Sequence, residues 1–283
     1  MTYADVVARA AAALVASGLD RADAEADAAV LARHLLNWDF GHWLLHERDT
    51  AGASFTSALD AAIQRRATRE PVAYIIGERE FYGRPFIVSP AVLIPRPETE
   101  LIIETSLGTV APGHPYSGTI CDLGTGSGCL AVTLALELPD FRIVATDISA
   151  AALDVARRNA LALGAGERIA FHEGTFFAGS TERFDLIVSN PPYVAASDRA
   201  TLQRDVVDFE PATALFSGDD GLDCIRELVR LAPDHLKPGG ALIFEFGFGQ
   251  ADAIPAILAA SRLTLADIKP DLQAIPRVAI AAL

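Results

Sequence analysis

Thr119-Ile120-Cys121-Asp122-Leu123-Gly124-Thr125-Gly126-Ser127-Gly128 is the stretch from which the fold can be read. The run up to Leu123 is mostly apolar, the pattern of a short buried strand, and three glycines break it at once. A helical pattern begins directly afterwards. Strand, glycine turn and helix in that order open an α/β unit. The turn falls at the carboxyl end of the strand, where open sheets bind their ligands, and its glycines let the backbone approach a ligand closely. The spacing is GxGxG, not the GxGxxG of dinucleotide binders, and no phosphate-loop lysine follows.

The next strand pattern, Arg142–Thr146, ends in Asp147, about twenty residues beyond the turn, where a carboxylate can take both hydroxyls of a ribose. Glycine turn and acid together suit a nucleotide-like ligand without a pyrophosphate, and they point to S-adenosylmethionine. Phe184–Ser189 and Ala241–Phe246 are further strand candidates, with helical patterns between them, which argues a parallel sheet. A helix near Ala251–Ser261 precedes two more strands around Leu263–Ile268 and Arg277–Ala281. Ala111–Pro115 reads as a loop before the first strand.

Upstream the pattern is helical and Ala-rich to about residue 70. Thr2 is placed to cap a helix that Gly18 ends, and Asp20 one that runs toward Asn37. Asp39 starts a third, with Phe40, Trp43 and Leu44 at helical spacing, and Ser54 a fourth, with Phe55, Leu59 and Ile63. His42 and His46 stand four apart, but no acid follows in the HExxH manner, so no metal ligand set is read there. Arg65, Arg66 and Arg69 read as a solvated helix face, and Trp38 and Trp43 as core or staple residues. Between the helices and the sheet, two aromatic and β-branched runs flank Gly83, which suits a hairpin connector. Ile94-Pro95-Arg96-Pro97-Glu98-Thr99-Glu100 then leads into a helix, with Pro97 near its start and Arg96 expected to pair with Glu98 and Glu100.

Phe184–Ser189 ends in Asn190-Pro191-Pro192-Tyr193. Consecutive prolines fix φ and remove two donors, leaving carbonyl acceptors, while Asn190 adds a side-chain carbonyl and Tyr193 a flat ring. Such a set suits a planar, NH2-bearing group, its hydrogens taken in the plane and its face covered. Glu245 interrupts the apolar run Ile243–Phe246 and, if buried, needs a partner. Glu210, after Phe209, reads as a salt-bridged loop carboxylate.

The chain has 283 residues, 51% of them hydrophobic and 21% charged, enough for one large domain and a small one. A formal net charge of −14 weighs against tight, sequence-indifferent binding to nucleic acid. No apolar run is long enough to span a bilayer, and Met1–Asp5 lacks the basic start of a secretory signal. Three cysteines without CxxC spacing suggest neither a zinc site nor a disulfide framework, and a cytoplasmic setting is expected.

At this point the chain resembles the peptide chain release factor glutamine methyltransferases. The residues that carry the resemblance are Asn190–Tyr193, Pro71–Gly77, Phe81–Gly83, Val92–Glu100, Phe209–Pro211 with Ala214 and Leu215, and Ile275–Arg277. It runs from about residue 70 to the end, and the helical N-terminus agrees in kind. The resemblance implies a Rossmann-like, seven-stranded methyltransferase domain over 98–283, a β-hairpin connector over 76–97 and a helical substrate-recognition domain over 1–75. It implies S-adenosylmethionine as methyl donor, with S-adenosylhomocysteine as product. The cofactor would lie on Gly124, Thr125, Gly126, Ser127, Gly128, Asp147, Phe176 and Asn190. Asn190, Pro191, Pro192 and Tyr193 would hold the glutamine amide of a release factor. Thr175 departs from the family, which often has an aspartate there. A monomer is expected, without membrane or direct nucleic-acid binding. The Asn-Pro-Pro-Tyr motif alone is shared with DNA adenine and RNA guanine methyltransferases, so an adenine-modifying DNA or an RNA enzyme is the runner-up. A binding module that has lost catalysis is a third reading, disfavoured by the intact turn, acid and tetrapeptide.

Overall fold

A computed structural model describes residues 1–110, 117–177 and 179–283; the expected loop Ala111–Pro115 lies outside them. The chain forms two compact units, Met1–Gly77 with Gln203–Phe209, and Glu78–Leu202 with Glu210–Leu283.

The first unit holds α1 (Tyr3–Ala16), α2 (Arg21–Leu36), α3 (Phe40–His46), α4 (Ala53–Ala67) and α5 (Val72–Ile76). Local chemistry sets their ends. Thr2 and Asp5 form a reciprocal capping box, and Asp20 and Asp39 cap α2 and α3 through Ala22 N and His42 N. Asn37 closes α2 in the left-handed region, φ 52°. The fourth helix starts one residue before the expected Ser54, with Gly52 at its cap. Val6, Ala10 and Leu14 of α1 recur at helical spacing and pack with Leu31 and Leu59. By contrast α3 buries no residue; Trp43 alone of its apolar trio packs on this core, while Phe40 and Leu44 are exposed.

The arginine cluster corrects the reading of a solvated face. Arg66 is buried and paired with Asp27 at 2.6 Å and Asp205 at 2.7 Å. Arg65 pairs with Glu70, and Arg69 donates to the Gly18 carbonyl.

The second unit begins with the expected hairpin, β1 (Glu78–Phe81) and β2 (Arg84–Ile87), turning at Tyr82 and Gly83. A 3₁₀ turn, Pro97–Thr99, leads into α6 (Glu100–Val110). Then follow β3 (Gly118–Leu123), α7 (Cys129–Glu137), β4 (Phe141–Asp147), α8 (Ala150–Ala162), β5 (Ile169–Glu173) and β6 (Phe184–Ser189). After α9 (Arg204–Phe209), which groups with the helical unit, come α10 (Asp223–His235), β7 (Leu236–Glu245), α11 (Ile254–Ala259), β8 (Thr264–Pro270) and β9 (Pro276–Ala282). The seven strands run in the order β5-β4-β3-β6-β7-β9-β8, parallel except where β9 pairs antiparallel with β7 and β8.

Both faces of this sheet are covered, which is why its inner strands read as nearly continuous apolar runs. Ile120, Ile143, Leu186 and Ile243 face one core; Cys121, Val144, Ile187 and Leu242 face the other. The chain steps from β3 outward to β5, then returns to place β6 on the other side of β3. That reversal opens a crevice at the carboxyl ends of β3, β4 and β6.

Candidate active site

Strand register builds the site. Leu123 pairs with Thr146 on one side and Ser189 on the other. The residues that follow, Gly124, Asp147 and Asn190, therefore emerge side by side from three neighbouring strands, at the mouth of a cavity of ≈ 340 Å³. That volume lies in the range of small-ligand sites. Four of the five turn residues, Gly124 to Ser127, line it with Asp147, Phe176 and the Asn190–Pro192 step; Gly128 does not, and turns instead against Ala156 of α8. Tyr193 does not; its hydroxyl donates instead to Glu245 Oε1 at 2.9 Å.

The glycine turn is clamped from several sides. Gly124 N and Thr125 N both donate to the Thr146 carbonyl at 2.9 Å, and Gly126 N donates to Asp147 Oδ2 at 2.9 Å. Ser149 N donates to the other Asp147 oxygen, fixing the carboxylate while each oxygen keeps further acceptor capacity. Behind the turn, Asp122 is fully buried and accepts from Thr125 Oγ1 at 2.6 Å and Ala131 N at 3.1 Å. Burial pushes its carboxyl up to about 7, against those two hydrogen bonds. Asn159 donates to the Ser127 carbonyl and exchanges two bonds with the Ile87 backbone, tying the turn to β2. Neither Asp122 nor Asn159 stood out as a site residue. The only signal for Asp122 was an acid inside an apolar strand.

The wall opposite the turn comes from Val92–Thr99. Arg96 pairs with Glu210 at 2.5 Å, not with Glu98 or Glu100 as expected, and Glu100 instead accepts from Tyr82 N. Glu210 is buried and also accepts from Ile94 N at 3.1 Å, so it is a loop carboxylate that shapes the wall. Thr99 meets the Asn-Pro-Pro-Tyr step: Asn190 Nδ2 donates to Thr99 Oγ1 at 2.9 Å, and Thr99 Oγ1 donates to Glu245 Oε2 at 2.8 Å. Burial lifts the Glu245 carboxyl to about 7 and, with Glu245 beside it, holds the Tyr193 phenol well above its ordinary value. Phe176 adopts φ 46° and Thr146 Oγ1 anchors its carbonyl; Thr175 lines the cavity beside it.

Residues 5–77 match the family model described as PrmC N-terminal domain, and residues 100–210 the one described as methyltransferase small domain. The release factor glutamine methyltransferase of Cereibacter sphaeroides is 43% identical over 283 residues, covering 100% of this chain and 99% of its own. The chain belongs to the release factor glutamine methyltransferase family. Its namesake in Neisseria gonorrhoeae is 49% identical over 224 residues, 78% of this chain and 80% of that one. Among solved structures, a methyltransferase from Pyrococcus furiosus superposes with a TM-score of 0.53 at 19% identity, over 80% of this chain and 98% of that one, a likeness of fold. Among the described residues no helix is long and apolar enough to cross a membrane.

Proposed function

We infer that this enzyme transfers a methyl group from S-adenosylmethionine to the side-chain amide nitrogen, N5, of the glutamine in the GGQ motif of peptide chain release factors, with S-adenosylhomocysteine as the leaving group and one amide proton lost to water. The observation that carries the reading is full-length similarity to release factor glutamine methyltransferases, together with a cavity that joins a glycine turn to Asn190.

The residues present fit the cofactor. Ser127 Oγ is a buried hydroxyl beside the cavity with no hydrogen-bond partner among the described residues, and Asp147 retains acceptor capacity for ribose hydroxyls. An added Cβ at Gly124 would meet nothing within 4 Å, so the turn leaves room for a ligand against its backbone. Gly124–Gly128 and Asp147 would hold S-adenosylmethionine, with Phe176 packing on the adenine. When bound, the cofactor supplies an electrophilic methyl group on a sulfonium.

An amide nitrogen is a poor nucleophile because its lone pair is delocalised into the carbonyl. Alignment is therefore the main task of the protein. The glutamine NH2 donates to Asn190 Oδ1 and to the Pro191 carbonyl, which fixes the nitrogen in the cavity. Orientation of this kind supplies several kcal/mol, about 7–11 in ideal systems. The two acceptors grow stronger as positive charge develops on nitrogen, so they favour the transition state over the ground state.

In this proposal residues 1–75 recognise the protein substrate, 76–97 connect, and 98–283 bind the cofactor and hold the amide. A cytoplasmic monomer is part of it; three free cysteines and a substrate used in translation support the compartment. A net charge of −14 disfavours a nucleic-acid substrate. Tritiated methyl transfer to purified release factor, DNA and RNA, followed by mass mapping, tests the reading. Label is expected on the release factor glutamine; label on nucleic acid alone would overturn it.

A further inference from the structure

Glu245 is 1% exposed at the end of β7, and among the described residues no cation is hydrogen-bonded to it. Its two oxygens are held by two neutral hydroxyls, Thr99 at 2.8 Å and Tyr193 at 2.9 Å. A buried carboxylate without a countercharge is costly, and an apolar residue would serve a sheet core better. Two separate segments converge on it at the end of β7: the Pro97–Thr99 turn and the Asn190–Tyr193 step.

The direction of the hydrogen bonds gives this cluster a purpose. An ionised carboxylate only accepts. The single proton of Thr99 must therefore point to Glu245, and the Thr99 oxygen is left to accept from the Asn190 amide. Asn190 then turns its NH2 to Thr99 and keeps its carbonyl oxygen at the other corner of the amide. The two ends of an asparagine amide are nearly identical in shape, and only such a chain of donors and acceptors selects between them. With the amide reversed, an NH2 would face the NH2 of the substrate glutamine.

We propose that Glu245 is a positioning residue for methyl transfer, setting through Thr99 which end of the Asn190 amide meets the substrate. The inference rests on the reading of Asn190 as the acceptor for the substrate amide. The groups that act on Glu245 are Thr99 and Glu98 from the turn, Tyr193 from the loop after β6 and Arg277 from β9; Cys129 on α7 in turn feels its charge. Burial raises its carboxyl to about 7, and Glu98 adds to the rise, while Thr99, Tyr193 and Arg277 oppose it. Above that pH the carboxylate accepts and the chain has one direction. Below it, a protonated carboxyl can donate to Thr99, and the direction is released.

The test compares wild type with E245Q, T99V and T99S at saturating cofactor. Turnover on release factor should fall on the order of 100-fold in E245Q and T99V, while cofactor Kd by calorimetry stays within about twofold, the range set by intact turn contacts. T99S, which restores the hydroxyl, should recover most of what T99V loses. The wild-type kcat profile should rise through an apparent pKa near 7, and that limb should vanish in T99V. A second arm needs no substrate: in 15N-asparagine-labelled enzyme, the Asn190 side-chain NH2 signal should titrate near pH 7 in wild type and not in E245Q. Wild-type turnover in T99V, parallel losses of turnover and cofactor affinity, or an Asn190 signal indifferent to pH would each overturn the inference. If wild type fails to methylate release factor, the functional reading falls, and the NMR arm still decides the relay. Should E245Q not fold, T99V carries the comparison.

Discussion

Asp147 and Asn190 stand on opposite sides of β3, yet they are expected to fail in different ways when truncated. Asp147 lines the cavity and already anchors Gly126 N and Ser149 N. In the Asp147→Ala variant the ribose acceptors and the clamp on the turn go together. A hydrogen bond to a charged group contributes about 1.5–3 kcal/mol, so cofactor affinity should drop by roughly 10- to 150-fold. Asn190→Ala removes the acceptor for the substrate amide and leaves the glycine turn intact. It should depress kcat far more than it weakens cofactor binding. Calorimetry and steady-state kinetics on the same two variants check the split. Unchanged affinity in Asp147→Ala would remove it from the cofactor site, and near-wild-type turnover in Asn190→Ala would do the same for the amide.

Elements separate what the sequence announces from what only folding assembles. β3, β4, β6 and β7 were legible because strands covered on both faces are written as apolar runs. Their turn and acid were legible because each follows a strand end directly. β5 escaped the pattern reading: Ile169-Ala170-Phe171-His172-Glu173 is an edge strand that becomes polar and exposed toward its end. Arg66 was misread for another reason. Its charge is visible in sequence, but Asp205 reaches it from a helix that follows β6. The relay behind Asn190 was equally hidden, since Thr99 lies 91 residues from Asn190 and 146 from Glu245. The glycine turn offers a test at this scale, because its glycines are not equivalent. Gly128 has φ +81°, and a Cβ there would sit 3.0 Å from Ala156 Cβ and 3.2 Å from its Cα. Gly124 has φ +72° and open space. Backbone strain of about 1–3 kcal/mol applies to both, but only Gly128→Ala also forces α7 and α8 apart. Gly128→Ala should therefore lower the melting temperature more than Gly124→Ala, which should act chiefly on cofactor affinity. Equal melting temperatures would show that the close approach to Ala156 relaxes without cost.

At the scale of the whole molecule, all the residues assigned to cofactor and amide lie in the second unit, and the helical unit contributes none of them. A glutamine amide is too small to distinguish one protein from another, so selectivity has to come from contacts remote from the reacting nitrogen. The helical unit carries exposed apolar side chains on α3, with Phe40 62%, Leu44 57% and Leu45 78% exposed. Deleting residues 1–77 would remove that surface and also strip α9 of its buried partner Arg66, while leaving the clamps on the glycine turn and the Asn190 relay in place. The truncated enzyme is expected to bind S-adenosylmethionine as the full chain does. It should methylate a short peptide containing the GGQ motif as well as the full chain, and methylate intact release factor with a raised KM. A lower kcat on the intact substrate would follow if the glutamine loop is then presented less accurately. Cofactor calorimetry on the truncated chain first establishes that the second unit has folded; paired kinetics on peptide and intact release factor then decide the point. Equal efficiency on intact release factor would make the helical unit structural only, and the selectivity would have to lie in the wall built from Val92–Thr99 and Glu210.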